Sequence, residues 1–349
     1  MSLSLFSFLL FVLSLLLRPA VVAADLHVFI YHRFGESSYP TTNVAVDRFQ
    51  AQMAYLRENG YRVVPLAEVV TALKERRPLP ERGVVITIDD GYASVYHAAW
   101  PILRSFGYPF TVFLNIQAVD RGFSNILTWQ QIDEMRRAGV DFEDHSYAHH
   151  RLADWPAGMD EQDYRRWIST DLARGARILA DRLGRRPRYL AIPYGEYNEI
   201  VIDEAKKVGY AAVLSQDPGV VSSDTDPFLI PREPILGYDW ATMEHFVMVL
   251  NRSDLPCVDM KPPLAPLTGS DSVTISARLL HPERYDPDSL DIYVSELGWL
   301  PASLVGDRLA IRSPVVLHRR LNRVAVGGRE KASGRAAIRF WMLLRPPGR

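Results

Sequence analysis

The chain has 349 residues, of which 48% are hydrophobic and 23% charged, and its formal net charge is -1. This length predicts two domains, and the composition is typical of a globular protein with a sizeable core. Because the charges nearly balance and no long basic block occurs, nothing in the composition favours nucleic acid as a partner.

The first 24 residues are predicted to be a signal peptide. An almost wholly apolar run, Leu3–Leu17, is followed by the small residues Val21–Ala24, which is the order of a secretory leader with a cleavage site near Ala23 or Ala24. The run is shorter than the roughly 20 apolar residues that a membrane-spanning helix needs. We therefore expect export to the periplasm or beyond the cell, and membrane association only if the segment is not cleaved.

From residue 25 to 255, short apolar runs alternate with helical patterns. Strands are predicted at residues 28–31, 61–64, 84–88, 110–114, 188–192 and 211–214. Helices are predicted at residues 47–59, 128–138, 164–183 and 198–208, and a further helix is predicted to end at Leu73. Asp47 is the predicted N-cap of the first, and Thr128 with Gln131 forms a capping box at the start of the helix 128–138. Such βα repeats predict a parallel sheet or a (β/α) barrel, with functional residues at the C-terminal ends of the strands.

The pattern changes after residue 255. Residues 256–268, with Pro262, Pro263 and Pro266, are predicted to be a linker, and residues 269–349 a small β-sandwich domain. Its strands are predicted at residues 272–280, 290–293, 308–312 and 336–344. Cys257 is the only cysteine, so no disulfide can form within the chain, and we expect its thiol to be buried.

Two adjacent carboxylates, Asp89 and Asp90, end the apolar strand 84–88 and precede the turn residue Gly91. Such a pair is costly at the mouth of a buried strand unless positive charge shares the site. The alternative is that the two aspartates lie in a solvated turn or cap a helix and have no catalytic role.

Two imidazoles, His145 and His149, lie four residues apart and would project from one side of a helical turn. Two histidines and one aspartate around an open position are typical of a catalytic zinc, and the second aspartate is then free to act as a general base. His150 is a rival ligand, but its spacing of five residues from His145 points it elsewhere on a helix.

Three motifs occur in series: Asp89-Asp90-Gly91, His145-Ser-Tyr-Ala-His149 and Pro193-Tyr194-Gly195. In these motifs the chain resembles the polysaccharide deacetylases of the NodB-homology group, carbohydrate esterase family 4, over residues 27–250. The resemblance implies an α/β fold, a deformed (β/α) barrel, and metal-dependent removal of acetyl groups from N-acetylated sugars.

The resemblance also implies roles for individual residues. Asp89 would be the catalytic base, and Asp90, His145 and His149 would hold the divalent metal, usually Zn²⁺. The backbone amide of Tyr194 would help to stabilise the oxyanion, which makes Tyr194 both a catalytic and a substrate-binding residue.

Two features depart from the family's usual pattern. The arginine that normally precedes Pro-Tyr and orients the base is absent, with Ala191 in that region, and so is the late Leu-x-His motif that supplies the general acid. His245 is predicted to lie on a helix face instead. Arg232 is one replacement for the arginine, and a surface salt bridge is the alternative role for it.

Both departures resemble the poly-β-1,6-N-acetylglucosamine N-deacetylase branch, which opens with a strand ending in Tyr-His, as Tyr31-His32 does here. That branch implies His32 as the general acid; the alternative is a core histidine bonded to a backbone carbonyl. Trp240 is predicted to line the sugar site, with burial in the core as its alternative.

The sequence thus predicts an exported, metal-dependent N-deacetylase of an N-acetylhexosamine polysaccharide, with poly-β-1,6-N-acetylglucosamine as the leading substrate and chitin or peptidoglycan glycan as others. Two further hypotheses stay open. One is a catalytically inactive carbohydrate-binding protein, which would hold zinc but release no acetate. The other is a metal-dependent amidase or esterase of small molecules.

Overall fold

The computed structural model of the chain describes residues 25–264 and 272–345. The predicted signal segment, residues 1–24, lies outside the described residues, as does the part of the predicted linker that contains Pro266. Within the two described ranges, no helix is both long and apolar enough to cross a membrane.

A curled parallel sheet forms the first part of the molecule. In chain order the strands are β1 (His27–Tyr31), β2 (Arg33–Phe34), β3 (Asn43–Val44), β4 (Arg62–Val63), β5 (Gly83–Ile88), β6 (Thr111–Leu114), β7 (Asp141–Asp144), β8 (Tyr189–Ala191), β9 (Ala212–Leu214) and β10 (Glu233–Pro234). All but β2 and β3, which pair with each other, form one eight-stranded sheet in the order β10-β1-β5-β6-β7-β8-β9, with β4 beside β5. Every pairing in this sheet is parallel.

Helices cover the sheet. The α-helices are Val46–Glu58, Leu66–Glu75, Trp100–Phe106, Ile116–Asp120, Trp129–Arg137, Glu161–Leu183, Glu199–Val208 and Met243–Leu250. A π-helical turn, Val95–Ala99, precedes the third of them, and 3₁₀ turns lie at Pro193–Gly195 and Tyr238–Ala241. All six residues of β5 are buried, and the strand accordingly does not alternate between apolar and polar residues; Thr87 is its one polar side chain.

The short segment Ile230–Pro234 contacts both edges of the sheet. Ile230 pairs with Leu214 at one edge, and Glu233 pairs with Phe29 of β1 at the other. The sheet is therefore curled into an incomplete barrel, and the predicted deformed (β/α) barrel is confirmed.

One helix start was predicted wrongly. The first helix begins at Val46 with Ala45 as its N-cap, and no side chain caps it. Asp47 lies inside the first turn, where its carboxylate still interacts favourably with the helix dipole. The capping box of Thr128 and Gln131 is present as predicted.

The second part of the molecule is all-β. Its strands are β11 (Cys257–Lys261), β12 (Ser272–Val273), β13 (Ser276–Leu279), β14 (Asp291–Val294), β15 (Gly298–Val305), β16 (Arg308–Ile311), β17 (Val315–Val316), β18 (Leu321–Arg329) and β19 (Ala336–Leu344), with 3₁₀ turns at Pro282–Arg284 and Pro287–Ser289. Seven of them form one antiparallel sheet in the order β11-β13-β16-β15-β14-β18-β19. The separate all-β part that was predicted as a small β-sandwich is thus present, as an antiparallel, barrel-like sheet.

Strand β15 joins the two halves of this sheet. Its first residues, from Gly298 to Pro301, pair with β14, and its last, from Ala302 to Val305, pair with β16. The layer therefore curls around a core that includes Ile292, Leu309 and Trp341. Cys257 is buried at the edge of this core, as expected for its thiol.

The C-terminal sheet contacts the barrel directly. Arg323 of β18 donates from Nη2 to the backbone oxygen of Tyr194 at 2.7 Å, and its Nε lies 3.3 Å from Oδ1 of the buried Asp217. Arg320 makes a further ion pair with Asp154 at 2.7 Å. We propose a domain boundary near residue 255, between the helix Met243–Leu250 and β11.

His27, the first residue of β1, gives a prediction about stability. Burial, together with the positive charges of Arg335 and Arg252, lowers the pKa of His27 to about 3 from the ordinary 6.5. Between these two values the unfolded chain binds a proton that the folded chain does not, so the free energy of unfolding falls as the pH falls. The slope from this group is about 1.4 kcal/mol per pH unit.

We therefore expect His27→Gln to flatten the pH dependence of stability between pH 6.5 and about 3. Urea unfolding of the wild type and the variant at several pH values in this window measures the difference. His281→Gln is the matched control, because the side chain of His281 is 50% exposed. Equal slopes for wild type and His27→Gln would contradict the prediction.

Candidate active site

The paired aspartates stand at the C-terminal end of β5. Tyr31 of β1 pairs with Ile88 of β5, so the residues that follow, His32 and Asp89, leave the sheet side by side. Asp90 has a φ of 70° and Gly91 a φ of 72°, and two successive left-handed residues turn the chain sharply away from the sheet. The left-handed φ of Gly91 favours glycine, and a Cβ there would lie 2.7 Å from Cδ2 of Leu114, whose side chain would have to shift.

The histidine motif is a loop, and the prediction of a helical turn was wrong. Ser146 and His149 both have positive φ, 64° and 54°, which no α-helix accommodates. The backbone N–H groups of Tyr147 and Ala148 donate to the carboxylate of Asp171 at 3.1 and 3.0 Å. The helix Glu161–Leu183, which carries Asp171, therefore holds the loop in place.

Asp90, His145 and His149 form a cluster with the geometry of a metal site. One ligand atom from each lies within 4.8 Å of the others, and Oδ1 of Asp90 is 3.0 Å from Nε2 of His149 and 3.5 Å from Nε2 of His145. Oδ1 of Asp90 and Nε2 of His145 are buried without hydrogen-bond partners. Unpaired buried polar atoms are costly, and a divalent cation would satisfy both of these atoms at once.

His145 is held in the form that a metal needs. Its Nδ1 lies 2.7 Å from the backbone oxygen of Ala191, which can only accept, so Nδ1 carries the proton and Nε2 is left with a free lone pair. Burial lowers the pKa of His145 to about 4, so the ring is neutral at pH 7. His150, the rival ligand, packs its ring 5.3 Å from that of Trp167 and is not in the cluster.

Asp89 is fully buried and paired with a fully buried arginine. Nη1 and Nη2 of Arg232 donate to the two carboxylate oxygens of Asp89 at 2.7 and 2.8 Å, while Nε of Arg232 donates to the backbone oxygen of Ser215 at 2.7 Å. Burial by itself raises the pKa of Asp89, but the positive charge of Arg232 and its hydrogen bonds outweigh this effect, so the pKa of Asp89 lies below the ordinary 3.8. Arg232 is therefore not in a surface salt bridge.

His32 and Tyr92 also adjoin the carboxylates. His32 is 8% exposed, and its Nδ1 has no hydrogen-bond partner. Burial and the neighbouring carboxylate of Asp90 raise the pKa of Tyr92 to about 12, so its phenol stays protonated. The sequence predictions missed Tyr92, which lies only two residues beyond Asp90.

Tyr194 follows β8 in a strained turn. Its φ is 60° and its ψ is 0°. This left-handed conformation costs conformational energy in a residue other than glycine. Its ring lies 4.8 Å from the ring of His149 and under the guanidinium of Arg151. The next residue, Gly195, has no room for a side chain, since its Cβ would lie 2.5 Å from the backbone nitrogen of Gln216.

Trp240 is 45% exposed, so the alternative of burial in the core is wrong. It lines a cleft of about 800 Å³ together with Tyr194. His245 lies on the helix Met243–Leu250, as predicted, and its ring is 5.2 Å from that of Trp240.

The fold and the site together define a class of protein, an α/β half-barrel with a potential three-residue metal site at the C-terminal ends of its strands. Residues 76–213 match the family model described as polysaccharide deacetylase. Over these residues the chain carries a polysaccharide deacetylase domain, and the curated relatives and solved structures that it resembles are named as deacetylases.

Several curated relatives carry the name poly-β-1,6-N-acetyl-D-glucosamine N-deacetylase, two of which represent different bacterial groups. The protein from Escherichia coli K12 is 30% identical over 233 residues, covering 56% of this chain and 34% of the relative. The protein from Staphylococcus epidermidis is 28% identical over 211 residues, covering 59% of this chain and 73% of the relative. The chain thus spans only about a third of the Escherichia coli protein.

A solved structure, that of IcaB from Ammonifex degensii, superposes with a TM-score of 0.55 at 28% sequence identity. The match covers 64% of this chain and 97% of that structure. The predicted resemblance to the NodB-homology deacetylases is confirmed by these comparisons.

Proposed function

We propose that this protein is an exported, metal-dependent N-deacetylase of an N-acetylhexosamine polysaccharide. The observation that carries the proposal is the cluster of Asp90, His145 and His149 beside a second carboxylate, Asp89, that is not in the cluster. One acidic residue is thus available to hold a metal and another to move a proton.

Asp90, His145 and His149 are the residues that would hold the metal, and Zn²⁺ suits their mixture of imidazole and carboxylate. When bound there, such a cation supplies Lewis acidity that polarises the acetamide carbonyl and makes water a better nucleophile. The neutral Nε2 of His145 and the ionised Asp90 provide the ligand forms that this binding requires.

Asp89 is the proposed general base. Its low pKa keeps it ionised at neutral pH, and the two hydrogen bonds from Arg232 fix the plane of its carboxylate. From this position Asp89 takes the proton of the attacking water while the amide carbon becomes tetrahedral.

Tyr194 and His32 are proposed to act on the tetrahedral intermediate, the first by stabilising its oxyanion and the second by protonating its leaving group. The backbone N–H of Tyr194 donates to the oxyanion, a role that benefits from a peptide group fixed before the reaction starts. His32 donates a proton to the departing amine nitrogen, so that the C–N bond breaks and the products are acetate and a glucosamine unit. Trp240 is the proposed aromatic contact of the sugar ring.

The leading substrate is poly-β-1,6-N-acetylglucosamine, which the two curated relatives carry in their names. Chitin and peptidoglycan glycan are the alternatives. Of the two departures that favoured a catalytically inactive protein, the missing arginine weighs less, because Arg232 contacts Asp89 from another part of the chain.

Acetate release tests the proposal. The protein is incubated with poly-β-1,6-N-acetylglucosamine, with chitin oligomers and with a simple acetate ester, before chelation, after chelation and after Zn²⁺ is restored. We expect chelation to stop acetate release from the glycan and Zn²⁺ to restore it. Release from the simple ester alone would favour the small-molecule esterase, and bound zinc without any release would favour the carbohydrate-binding protein.

Two neighbouring histidines provide a matched pair of variants for the metal site. We expect His149→Ala to lower the zinc content per chain and to reduce acetate release at least about a hundredfold, because one of three protein ligands is lost. His150→Ala removes the same side chain from the next position, where it packs against Trp167, and is expected to retain both zinc and activity. Equal zinc content in the two variants would contradict the proposed ligand set.

A further inference from the structure

One wall of the cleft that contains Tyr194 and Trp240 comes from the C-terminal sheet. Tyr293 of β14, Trp299 of β15, and Arg323 and Phe340 of β18 and β19 line the cleft opposite the barrel residues. Tyr194 lines this cleft and its ring lies 4.8 Å from that of His149, so the cleft adjoins the candidate metal site.

The aromatic residues of this wall form a row across the sheet. Trp299 is the cross-strand partner of Tyr293, and Tyr293 and Phe340 are both partners of Ala325, on the two sides of β18. The ring centroids of Tyr293 lie 5.4 Å from Trp299 and 6.1 Å from Phe340. Since cross-strand partners share a face, the three rings cover one side of the sheet.

Strand β18 has small residues where these rings need space. A Cβ at Gly327 would lie 2.4 Å from the indole of Trp299, so the indole packs directly on the glycine backbone. On the opposite face of the same strand, Val324 and Val326 are fully buried in the core of the sheet. The aromatic row is therefore not needed to fill that core, and Trp299 remains 53% exposed.

The chemistry of the wall suits a sugar chain. Pyranose rings present apolar C–H faces that pack on aromatic rings, while their hydroxyl groups need polar partners. Arg151 and Glu196, which form an ion pair, and Ser295 provide such partners in the same cleft. A cleft of about 800 Å³ has room for more than the reacting sugar unit alone.

We propose that the C-terminal sheet forms a subsite of the active-site cleft, in which Trp299 and Tyr293 bind sugar units of the polysaccharide next to the unit that is deacetylated. This inference rests on the proposed function for the identity of the ligand. It assigns to the C-terminal sheet a part in substrate length selection.

The test compares oligosaccharides of increasing length. For the wild type, kcat/KM for acetate release is expected to rise from the disaccharide to the hexasaccharide of N-acetylglucosamine, as more units reach the aromatic wall. For Trp299→Ala, we expect the value for the hexasaccharide to fall about tenfold and the dependence on length to disappear. Trp299→Phe, which keeps an aromatic face, should recover part of the loss.

The control is Val305→Ala, at the far end of the same strand. Val305 is 78% exposed and lies outside the cleft, so this variant should keep the wild-type dependence on length. A Trp299→Ala protein with the same dependence on length as the wild type would overturn the inference and leave the proposed deacetylation intact.

Binding measurements separate the inference from the proposed reaction. If the wild type releases no acetate from any glycan, calorimetric titration with the hexasaccharide still tests the subsite. Binding that Trp299→Ala weakens about tenfold would support the inference although the proposed reaction had failed. The absence of any binding by the wild type would overturn both.

Discussion

The variant Asp89→Asn is expected to lower kcat for acetate release by about a hundredfold to ten-thousandfold, the usual contribution of a general base. The amide has nearly the shape of the carboxylate, but it cannot take a proton from the attacking water. Because Asp89 is not in the metal cluster, the zinc content of the variant should stay at the wild-type value. Single-turnover kinetics together with metal analysis measures both quantities.

The matched control is Asp181→Asn, an exposed position on the long helix Glu161–Leu183. It makes the same chemical change away from the site and should leave kcat unchanged. A folded, zinc-loaded Asp89→Asn protein with wild-type kcat would exclude Asp89 as the base and move the role to another residue of the site.

The second large effect is expected at Arg232, whose side chain is completely buried. Arg232→Met removes the cation but keeps much of the volume, so the carboxylate of Asp89 is left buried without its partner. Breaking one side of a buried ion pair costs about 3–5 kcal/mol, and we expect a loss of this size in the free energy of unfolding. Activity should fall as well, since the carboxylate loses both the charge and the two hydrogen bonds that orient it.

A double variant distinguishes the contribution of the ion pair to stability from that of side-chain packing. Asp89→Asn combined with Arg232→Met removes both charges, and its stability should exceed that of Arg232→Met alone, because no unpaired charge remains. Arg166→Met is the surface control, since the Arg166–Asp163 pair is largely exposed and is expected to contribute at most about 1 kcal/mol. Losses that simply add up in the double variant would show that the two side chains are not energetically coupled.

Local sequence patterns were enough to predict which site residues lie at the ends of strands. The apolar run before Asp89 and the repeated βα units placed Asp89, His32 and Tyr194 at the C-terminal ends of strands, and the structure has all three there. This prediction succeeded because the ends of parallel strands meet at one edge whatever the details of the loops.

The shape of the histidine loop was not predictable from spacing. A separation of four residues is compatible with a helix, but the backbone N–H groups of Tyr147 and Ala148 bond to Asp171, which is more than twenty residues away in the sequence. These hydrogen bonds to a distant side chain take the place of the bonds within a helical turn, and no local sequence pattern reveals them.

Other features of the site were not predicted because they depend on contacts between residues far apart in the sequence. Arg232 lies 143 residues from Asp89, in a segment whose sequence gives no sign of strand pairing. The strands β15 and β18 were missed altogether, because Pro301 and the pair Gly327-Gly328 lower their apparent strand propensity. Since these two strands carry Trp299 and Arg323, the contribution of the C-terminal sheet to the cleft was also missed.

The hydrogen bond from Arg323 to Tyr194 has a practical consequence for recombinant work. A shortened protein that stops before β11 would keep all three sequence motifs of the deacetylase domain. It would lose Arg323, which donates to the Tyr194 carbonyl and is the cation beside Asp217. Both groups lie next to the turn that carries the proposed oxyanion donor. Inhibitor screening and substrate profiling therefore require a protein that retains β18, even though the family model ends at residue 213.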